Sequence, residues 1–195
     1  MSKEPTYKPK GLTYRVQLPG DQDRLTEAIL YVSEKCEKAP RFGLIKLNKI
    51  IWRADFTAFA ARKVPVTGRA YQKLRYGPAP IEMLPLLNEL KQKGFIEIDD
   101  ISVTDVVERR VIAVVPPHHR FFSPSDLEFL DASIRYYWDK SGMEASEDSH
   151  GIGWETREIG DAMPYELAFL SDAELQGEQL AKILALAEER RWASS

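Results

Sequence analysis

The sequence has few residues that could support disulfide, metal or redox chemistry. Among its 195 residues there is one cysteine, Cys36, and there are three histidines. A single cysteine cannot form an internal disulfide, which is typical of reducing compartments, and we therefore expect a cytoplasmic protein. His118 and His119 are adjacent and His150 stands alone, so the histidines lack the spacing of a zinc motif. We expect no metal and no cofactor.

Sequence signals for membrane insertion, secretion and nucleotide binding are also missing. No apolar run approaches the ~18 residues of a transmembrane helix, and no apolar segment follows the charged first residues, so we expect no membrane span and no signal peptide. Neither GxGxxG after a strand nor GxxxxGK occurs. Ser149 and His150 could form a catalytic pair, but neighbours in a chain rarely point at one substrate. The sequence therefore predicts a protein that is not an enzyme.

Charge is unevenly distributed along the chain. Residues 35–75 contain eleven basic and two acidic residues, whereas residues 123–195 contain six basic and sixteen acidic ones. Such runs are typical of solvated faces, or of two parts of a protein that pack against each other. A basic region can alternatively bind an acidic partner or a nucleic acid. The charge pattern alone leaves both interpretations open.

The apolar pattern predicts an α+β protein that is predominantly α-helical, with about six helices and a small antiparallel sheet. Apolar spacing of three or four residues and capping residues at the ends predict helices over 21–38, 43–62, 80–93, 123–142, 142–149 and 172–191. Short apolar or alternating runs predict extended segments over 12–18, 71–76, 95–98 and 109–115. Residues 150–170 are predicted to be mostly irregular. We expect residues 1–12 to be a flexible N-terminus and residues 13–195 to be a single domain.

The helix at 43–62 carries a row of cations. Apolar residues cover most of its circumference, which predicts a central position in the core. Its remaining face carries Lys46, Lys49 and Arg53 at positions i, i+3 and i+7, so the three side chains share one side of the helix. The row is either a wet face of snorkelling side chains or a surface that recognises a partner.

The stretch YGPAP at 76–80 predicts a rigid change of chain direction. Gly77 can adopt backbone angles that other residues avoid, and Pro78 fixes the next φ angle near −65°. Pro80 suits the first turn of a helix, where its missing N–H costs nothing. We therefore expect an elbow that leads directly into the helix at 80–93, with four apolar side chains facing the core, namely Ile81, Leu84, Leu87 and Leu90. Pro85 lies beyond the first turn of this helix, so we expect a bend or a late start there.

Five segments follow one another in a distinctive order. They are KLNKIIWRADF at 46–56, PVTG at 65–68, YGPAP at 76–80, LLNELKQKGFIEI at 86–98 and SHGIGWETREIGDAMPYELAF at 149–169. In order and spacing they resemble the Panacea domain of the SocA-like antitoxin family, and the resemblance spans residues 24–170. Two departures are Ala79, where the family usually has valine, and Trp52-Arg53, where it often has two aromatic residues.

The resemblance implies a bacterial, prophage-associated antitoxin that neutralises a cognate protein toxin by direct contact. It also implies a protease as a further partner, because at least one member acts as an adaptor that presents its toxin to a protease. It implies no catalytic residue. Neither the identity of the toxin nor the oligomeric state follows from the sequence.

We expect the partner to bind at the elbow and at the cationic helix face beside it. Aromatic and arginine side chains on a rigid support are typical interface anchors. The predicted partner-binding residues are Lys46, Lys49, Arg53, Tyr71, Arg75 and Tyr76. Tyr76 and Pro78 could alternatively pack in the core.

A winged-helix protein that binds nucleic acid is an alternative. Helix, turn, second helix and hairpin is also the order of elements in that fold. However, the predicted hairpin connection carries Asp99, Asp100 and Asp105 where a DNA-binding wing would carry Lys or Arg, and the whole chain has a net charge of −3. We therefore do not expect a nucleic-acid partner.

Overall fold

A computed structural model describes residues 22–103 and 106–170 of the chain. These residues form six α-helices, five short or medium strands and a short 3-10 helix at Tyr165–Phe169. The helices are α1 (Gln22–Lys35), α2 (Leu44–Arg62), α3 (Met83–Gln92), α4 (Pro124–Tyr137), α5 (Gly142–Asp148) and α6 (Ile152–Glu155). The strands are β1 (Tyr71–Leu74), β2 (Gly77–Pro80), β3 (Ile96–Val103), β4 (Val106–Ala113) and β5 (Ala162–Met163). The predicted α+β, predominantly helical class is confirmed.

Helix α2 lies at the centre of the fold. It contacts α1, α4, α5, β2 and the 3-10 helix. Its apolar side chains enter two separate cores because they cover most of its circumference. Leu47, Ile50 and Ile51 belong to the main core, whereas Phe56 and Phe59 pack with aromatic residues of a smaller one. The predicted central position of this helix is confirmed.

Capping boxes set the starts of α4 and α5. Ser123 accepts a hydrogen bond from the Asp126 amide, and Ser141 accepts one from the Glu144 amide. Each box satisfies backbone N–H groups that the first helical turn leaves unpaired. The predicted start of α4 is confirmed, but the helix ends at Tyr137, and Gly142 is the first residue of α5 instead of the end of α4.

The stretch YGPAP forms one arm of a β-hairpin, so the predicted elbow into a helix is wrong. Strand β2 pairs antiparallel with β1 from Leu74↔Gly77 to Tyr71↔Pro80, and β1 pairs on its other side with β5. A strand with two prolines is tolerated because β2 is at the edge of this sheet.

Helix α3 begins at Met83 and not at residue 80, which is the late start that Pro85 predicts. The later start turns a different set of side chains inward, with Met83, Leu86, Leu87 and Leu90 buried. Leu84, which we expected in the core, is 56% exposed.

The second hairpin is longer than predicted. Strands β3 and β4 each have eight residues and pair from Ile96↔Ala113 to Val103↔Val106, so only residues 104 and 105 lie between them. The prediction of a long acidic connection is wrong because Asp99 and Asp100 are part of β3. Asp99 and Asp100 lie opposite Arg110 and Arg109, and opposite charges across a strand pair are favourable.

Residues 150–170 contain more regular structure than predicted, namely α6, β5 and the 3-10 helix. The predicted strand at 12–18, the predicted helix at 172–191 and the predicted flexible end at 1–12 lie outside the described residues. Within 22–103 and 106–170, no helix is long and apolar enough to cross a membrane.

Candidate functional site

Three separate sequence segments meet where Lys49, Gly77 and Ser149 come together. Gly77 has a φ angle of +90°, which favours glycine. A Cβ atom at Gly77 would collide with the Ser149 hydroxyl and would lie 2.5 Å from Lys49 Nζ. The glycine is therefore required both by the turn and by the two side chains that pack against it. We call this contact of α2, β2 and the end of α5 the glycine junction.

Lys49 is buried inside the glycine junction and is only 1% exposed. Its ammonium group donates a hydrogen bond to the Pro78 carbonyl at 2.7 Å. Removal of this ammonium from water lowers its pKa from the ordinary 10.5 to about 7. Lys49 thus fastens α2 to β2 and can lose its proton near neutral pH.

Lys46 is buried one turn earlier on α2. Its ammonium group donates to the Trp138 carbonyl at 2.6 Å and to the Pro40 carbonyl at 2.9 Å. Burial lowers the pKa of Lys46, because the charged form is disfavoured away from water. Lys46 therefore ties α2 to the end of α4 and to the loop before α2.

A buried carboxylate, Asp55, holds the second core together. It accepts hydrogen bonds from the Thr67 amide at 2.5 Å, from the Thr67 hydroxyl, and from the Tyr71 and Tyr165 hydroxyls at 2.7 and 3.2 Å. Burial raises the pKa of Asp55, and the four hydrogen bonds oppose that rise. The carboxylate joins α2, the loop before β1, β1 and the 3-10 helix.

Sequence reasoning did not single out Asp55 or its partners Thr67 and Tyr165. An acidic residue inside an otherwise apolar helix was the available signal, because a charge on a buried face needs hydrogen-bond partners. The partners come from the PVTG and MPYE stretches of the sequence, whose residues are far from Asp55 along the chain. Nothing in their spacing identifies them.

Trp154 closes the junction on the side of α6. Its ring stacks on His150 with centroids 3.8 Å apart, and Lys73 Nζ lies 3.7 Å from its ring centroid. The indole N–H donates to the Leu74 carbonyl at 3.0 Å. Burial lowers the pKa of His150, and the nearby charges of Lys49 and Lys73 lower it further. His150 and Trp154 therefore fix α6 against β1.

The tip of the first hairpin lies at the surface beside an apolar groove. Arg75 and Tyr76 form the turn between β1 and β2, and Tyr76 is 44% exposed. The groove has a volume of about 290 Å³ and is bounded by α2, the hairpin and the start of α3. Leu84 and Tyr76 expose apolar surface along it, and a buried side-chain oxygen of Asn48 has no hydrogen-bond partner. We call this surface the hairpin groove.

The predicted partner-binding residues divide into buried and accessible sets. Lys46, Lys49 and Tyr71 are buried, so the expectation of an exposed cationic row and an aromatic rim is wrong for these three. These three side chains point into the protein because each donates a hydrogen bond to an interior oxygen atom. Core packing was the alternative for Tyr76 and Pro78, and in the structure Pro78 is buried whereas Tyr76 is exposed.

Arg53, Arg75 and Tyr76 remain accessible to a partner. Arg53 is half-buried, and its guanidinium lies 3.6 Å from the ring centroid of Tyr136. This cation–π contact holds the side chain against α4. Arg75 is exposed at the hairpin tip. Binding of a partner by these residues stays a prediction.

The part of the chain that the structure describes contains no group of three or more His, Cys, Asp or Glu side chains placed to hold a metal ion. Ser149 donates its hydroxyl proton to the Ser146 carbonyl at 2.6 Å. His150 approaches the Ser146 hydroxyl at 3.4 Å. These contacts place Ser149 and His150 in local packing at the end of α5.

Comparison with known proteins assigns the chain to a family. A family model described as "Antitoxin SocA-like, Panacea domain" matches residues 47–155, which is more than half of the chain. No curated protein and no solved structure gives a significant match. The matched segment runs from α2 through α6 and includes Lys49, Asp55, Gly77 and Ser149. The chain therefore belongs to the SocA-like antitoxin family and contains a Panacea domain.

Proposed function

We propose that this protein is the antitoxin of a toxin–antitoxin pair and that it neutralises a cognate protein toxin by direct binding in the cytoplasm. Family membership supports the antitoxin role. The observation that carries the mode of action is the hairpin groove, an apolar surface with an exposed tyrosine and an exposed leucine beside a rigid turn. Exposed apolar patches beside rigid aromatic side chains are typical of protein-binding surfaces.

The interior hydrogen bonds of the family motifs support a role that is not catalytic. The polar groups of Lys49, Asp55 and Ser149 each bond to other groups of the fold. Side chains used in this way position the elements that surround the hairpin groove. We accordingly assign these residues to the support of the binding surface.

A second part of the proposal concerns the fate of the bound toxin. Presentation of the toxin to a protease is consistent with the adaptor role implied by the family resemblance. An adaptor must hold its client on one face while another face stays free, and the hairpin groove lies on only one side of α2. The proposal predicts faster toxin turnover in cells that contain this protein.

Co-expression tests the proposed function. The product of the adjacent small open reading frame is induced alone and then together with this chain, and growth and co-purification are scored. We expect growth arrest by the neighbouring product alone, rescue by co-expression, and a stable complex of the two proteins. A harmless neighbour that does not co-purify would count against the antitoxin proposal, and a salt-dependent shift of random duplex DNA would support the nucleic-acid alternative.

A further inference from the structure

A second cleft lies between the C-terminal end of α1 and β4. Ser33 and Glu34 of α1 and Glu37, just past the end of α1, line one wall. The other wall is the unbroken run 110–116, and the cleft has a volume of about 530 Å³. Side chains of a strand alternate between its two faces, so a cleft lined by consecutive residues follows the edge of the strand. We call it the strand-edge cleft.

The backbone of β4 offers unpaired hydrogen-bonding groups along this cleft. In an antiparallel pair, residues alternate between those whose N–H and C=O groups face the partner strand and those that face away. The Val114 amide donates to the Phe95 carbonyl at 2.9 Å, so Val114 and Ile112 face β3. Val111 and Ala113 therefore point their backbone groups away from β3, and no described residue outside this hairpin bonds to them. Val111 is buried at 1% exposure, whereas Ala113 is partly exposed, so Ala113 is the one of the two that an incoming strand can reach.

A buried hydroxyl in the same cleft also lacks a partner. Ser33 is 2% exposed, and its Oγ atom makes no hydrogen bond to the described residues. A buried polar group without a partner is unfavourable, because it has given up its hydrogen bonds to water. An incoming backbone amide or carbonyl could supply the missing partner, because the hydroxyl can both donate and accept.

The charge at the rim of the strand-edge cleft selects the chemistry of a ligand. Glu34 and Glu37 are exposed, and neither forms an ion pair with a described residue. Arg110 also lines the cleft, but its guanidinium is held by three backbone carbonyls, those of Cys36, Glu37 and Ala39. The positive charge of Arg110 therefore lies at the end of α1. On this wall of the cleft, the Glu34 and Glu37 carboxylates are the charges that form no ion pair with a described residue.

We propose that the strand-edge cleft binds an extended segment of the partner protein as an added third strand on β4, with a Lys or Arg side chain against Glu34 and Glu37. Backbone hydrogen bonds to Ala113 provide the affinity, and the acidic wall provides the preference for a basic side chain. The partner is the toxin of the proposed function, on which this inference rests. The hairpin groove and the strand-edge cleft then form two separate contacts with one protein.

A defined peptide tests the cleft without the toxin. The probe is an acetylated and amidated heptapeptide of alternating valine and arginine, titrated into the full chain while backbone amide signals are followed by NMR. We expect the Ala113 signal to shift on binding. A peptide with glutamate in place of arginine should bind about ten-fold more weakly, since each rim carboxylate then meets a like charge.

Proline substitution distinguishes the edge from the rest of the strand. Ala113→Pro removes an N–H that the β3–β4 pairing does not use, and the loss of one backbone hydrogen bond predicts about ten-fold weaker peptide binding. Val107→Pro is the matched control, because Val107 faces away from β3 in the same alternation but lies outside the cleft. Should Ala113→Pro fail to fold, the double variant Glu34→Lys/Glu37→Lys replaces it, since both positions are exposed, one on α1 and one just past its end.

Three results would overturn the proposal. The first is that Ala113→Pro, or the double variant if it is used instead, binds the peptide as tightly as the unchanged chain does. The second is strong protection of the Ala113 amide from hydrogen exchange in the free protein, because the edge would then be occupied by the chain itself. The third is a self-associated state that Ala113→Pro dissociates, since the occupant would be a second copy of the chain.

The complex with the neighbouring gene product separates this inference from the proposed function. We expect Ala113→Pro to weaken that complex and Val107→Pro to leave it unchanged. If the complex forms equally well with both variants, the antitoxin proposal stands and the strand-edge cleft does not bind the toxin. If no complex forms with the unchanged chain, the antitoxin proposal fails, and the peptide titration decides the cleft alone.

Discussion

Gly77 lies directly against the hydroxyl of Ser149, and no methyl group fits between the two residues. The contact joins β2 to the end of α5 across a gap of more than seventy residues in sequence. Lys49 of α2 lies against the same glycine. Because three elements meet here, the position of the hairpin groove relative to α2 depends on the absence of a side chain at one residue.

Replacement of Gly77 by alanine should destabilise the fold by about 3 kcal/mol or more, since a positive φ angle and a steric collision both oppose it. Urea unfolding at neutral pH measures the change. Gly94→Ala is the matched control, because Gly94 also has a positive φ angle but nothing lies within 4 Å of its Cβ position. That control should cost only about 1 kcal/mol, and equal costs for the two variants would contradict the collision at Gly77.

Stability should rise with pH because of Lys49. Its folded pKa is about 7 and its ordinary value is 10.5, so between these values the unfolded chain binds more protons than the folded chain. The penalty for burying the charge is complete below about pH 7 and disappears as the pH approaches 10.5. The free energy of unfolding, relative to that of Lys49→Met, should therefore increase by a few kcal/mol over this range.

Urea titrations at about pH 6, pH 8 and pH 10 measure this difference between the two proteins. Lys91→Met is the control for general effects of lysine removal, because Lys91 is exposed on α3. The difference between this control and the unchanged chain should stay flat with pH. A flat curve for Lys49→Met as well would show that Lys49 keeps its ordinary pKa in the folded protein.

Loss of one hydroxyl from the Asp55 network should be costly. Tyr71→Phe removes a hydrogen bond to a fully buried carboxylate, and we expect a loss of about 1–3 kcal/mol in the free energy of unfolding. Tyr136→Phe provides the comparison, since Tyr136 donates to Asp148 at an exposed site. Its loss should be no more than about 0.5 kcal/mol. Similar losses in thermal or urea unfolding would argue against a special role for the buried carboxylate.

Truncation of the hairpin groove should weaken toxin binding without unfolding the protein. Tyr76→Ala and Leu84→Ala each remove exposed apolar surface, and we expect each to reduce affinity for the neighbouring gene product about ten-fold or more. Isothermal titration of the purified proteins measures the affinity. Val64→Ala is the control, because Val64 is also exposed but lies just past the opposite end of α2. If both groove variants bind the toxin with full affinity, the toxin does not bind at the hairpin groove.

Apolar spacing and capping residues were sufficient to predict that α1 to α5 exist, but not α6. The apolar spacing in α2 and the capping box at Ser123 are local signals, and each appears in the structure where the sequence places it. The register of α3 was less predictable, because its start depends on whether the residues before it pair as a strand. That pairing places Leu84 outside the core although its spacing is typical of an inward position.

The polar interior could not be predicted from local spacing. The row of Lys46, Lys49 and Arg53 indicates one side of a helix but does not indicate what lies opposite. The carbonyl that accepts from Lys46 belongs to Trp138, and the one that accepts from Lys49 belongs to Pro78. Both contacts join residues distant in sequence, so only the folded chain shows that two of the three cations are interior.

Pro78 and Pro80 make the outer edge of β2 unable to donate a hydrogen bond. Pro78 and Pro80 are the residues of β2 whose backbone faces away from β1, because Ala79 and Gly77 face it. A proline has no N–H, so no further strand can be templated on this side, and stacking of molecules into fibrils cannot begin there. The two hairpins thus differ in their free edges. The outer edge of β2 cannot pair with a further strand, whereas the edge of β4 at Ala113 keeps an N–H that our proposal assigns to a segment of the toxin.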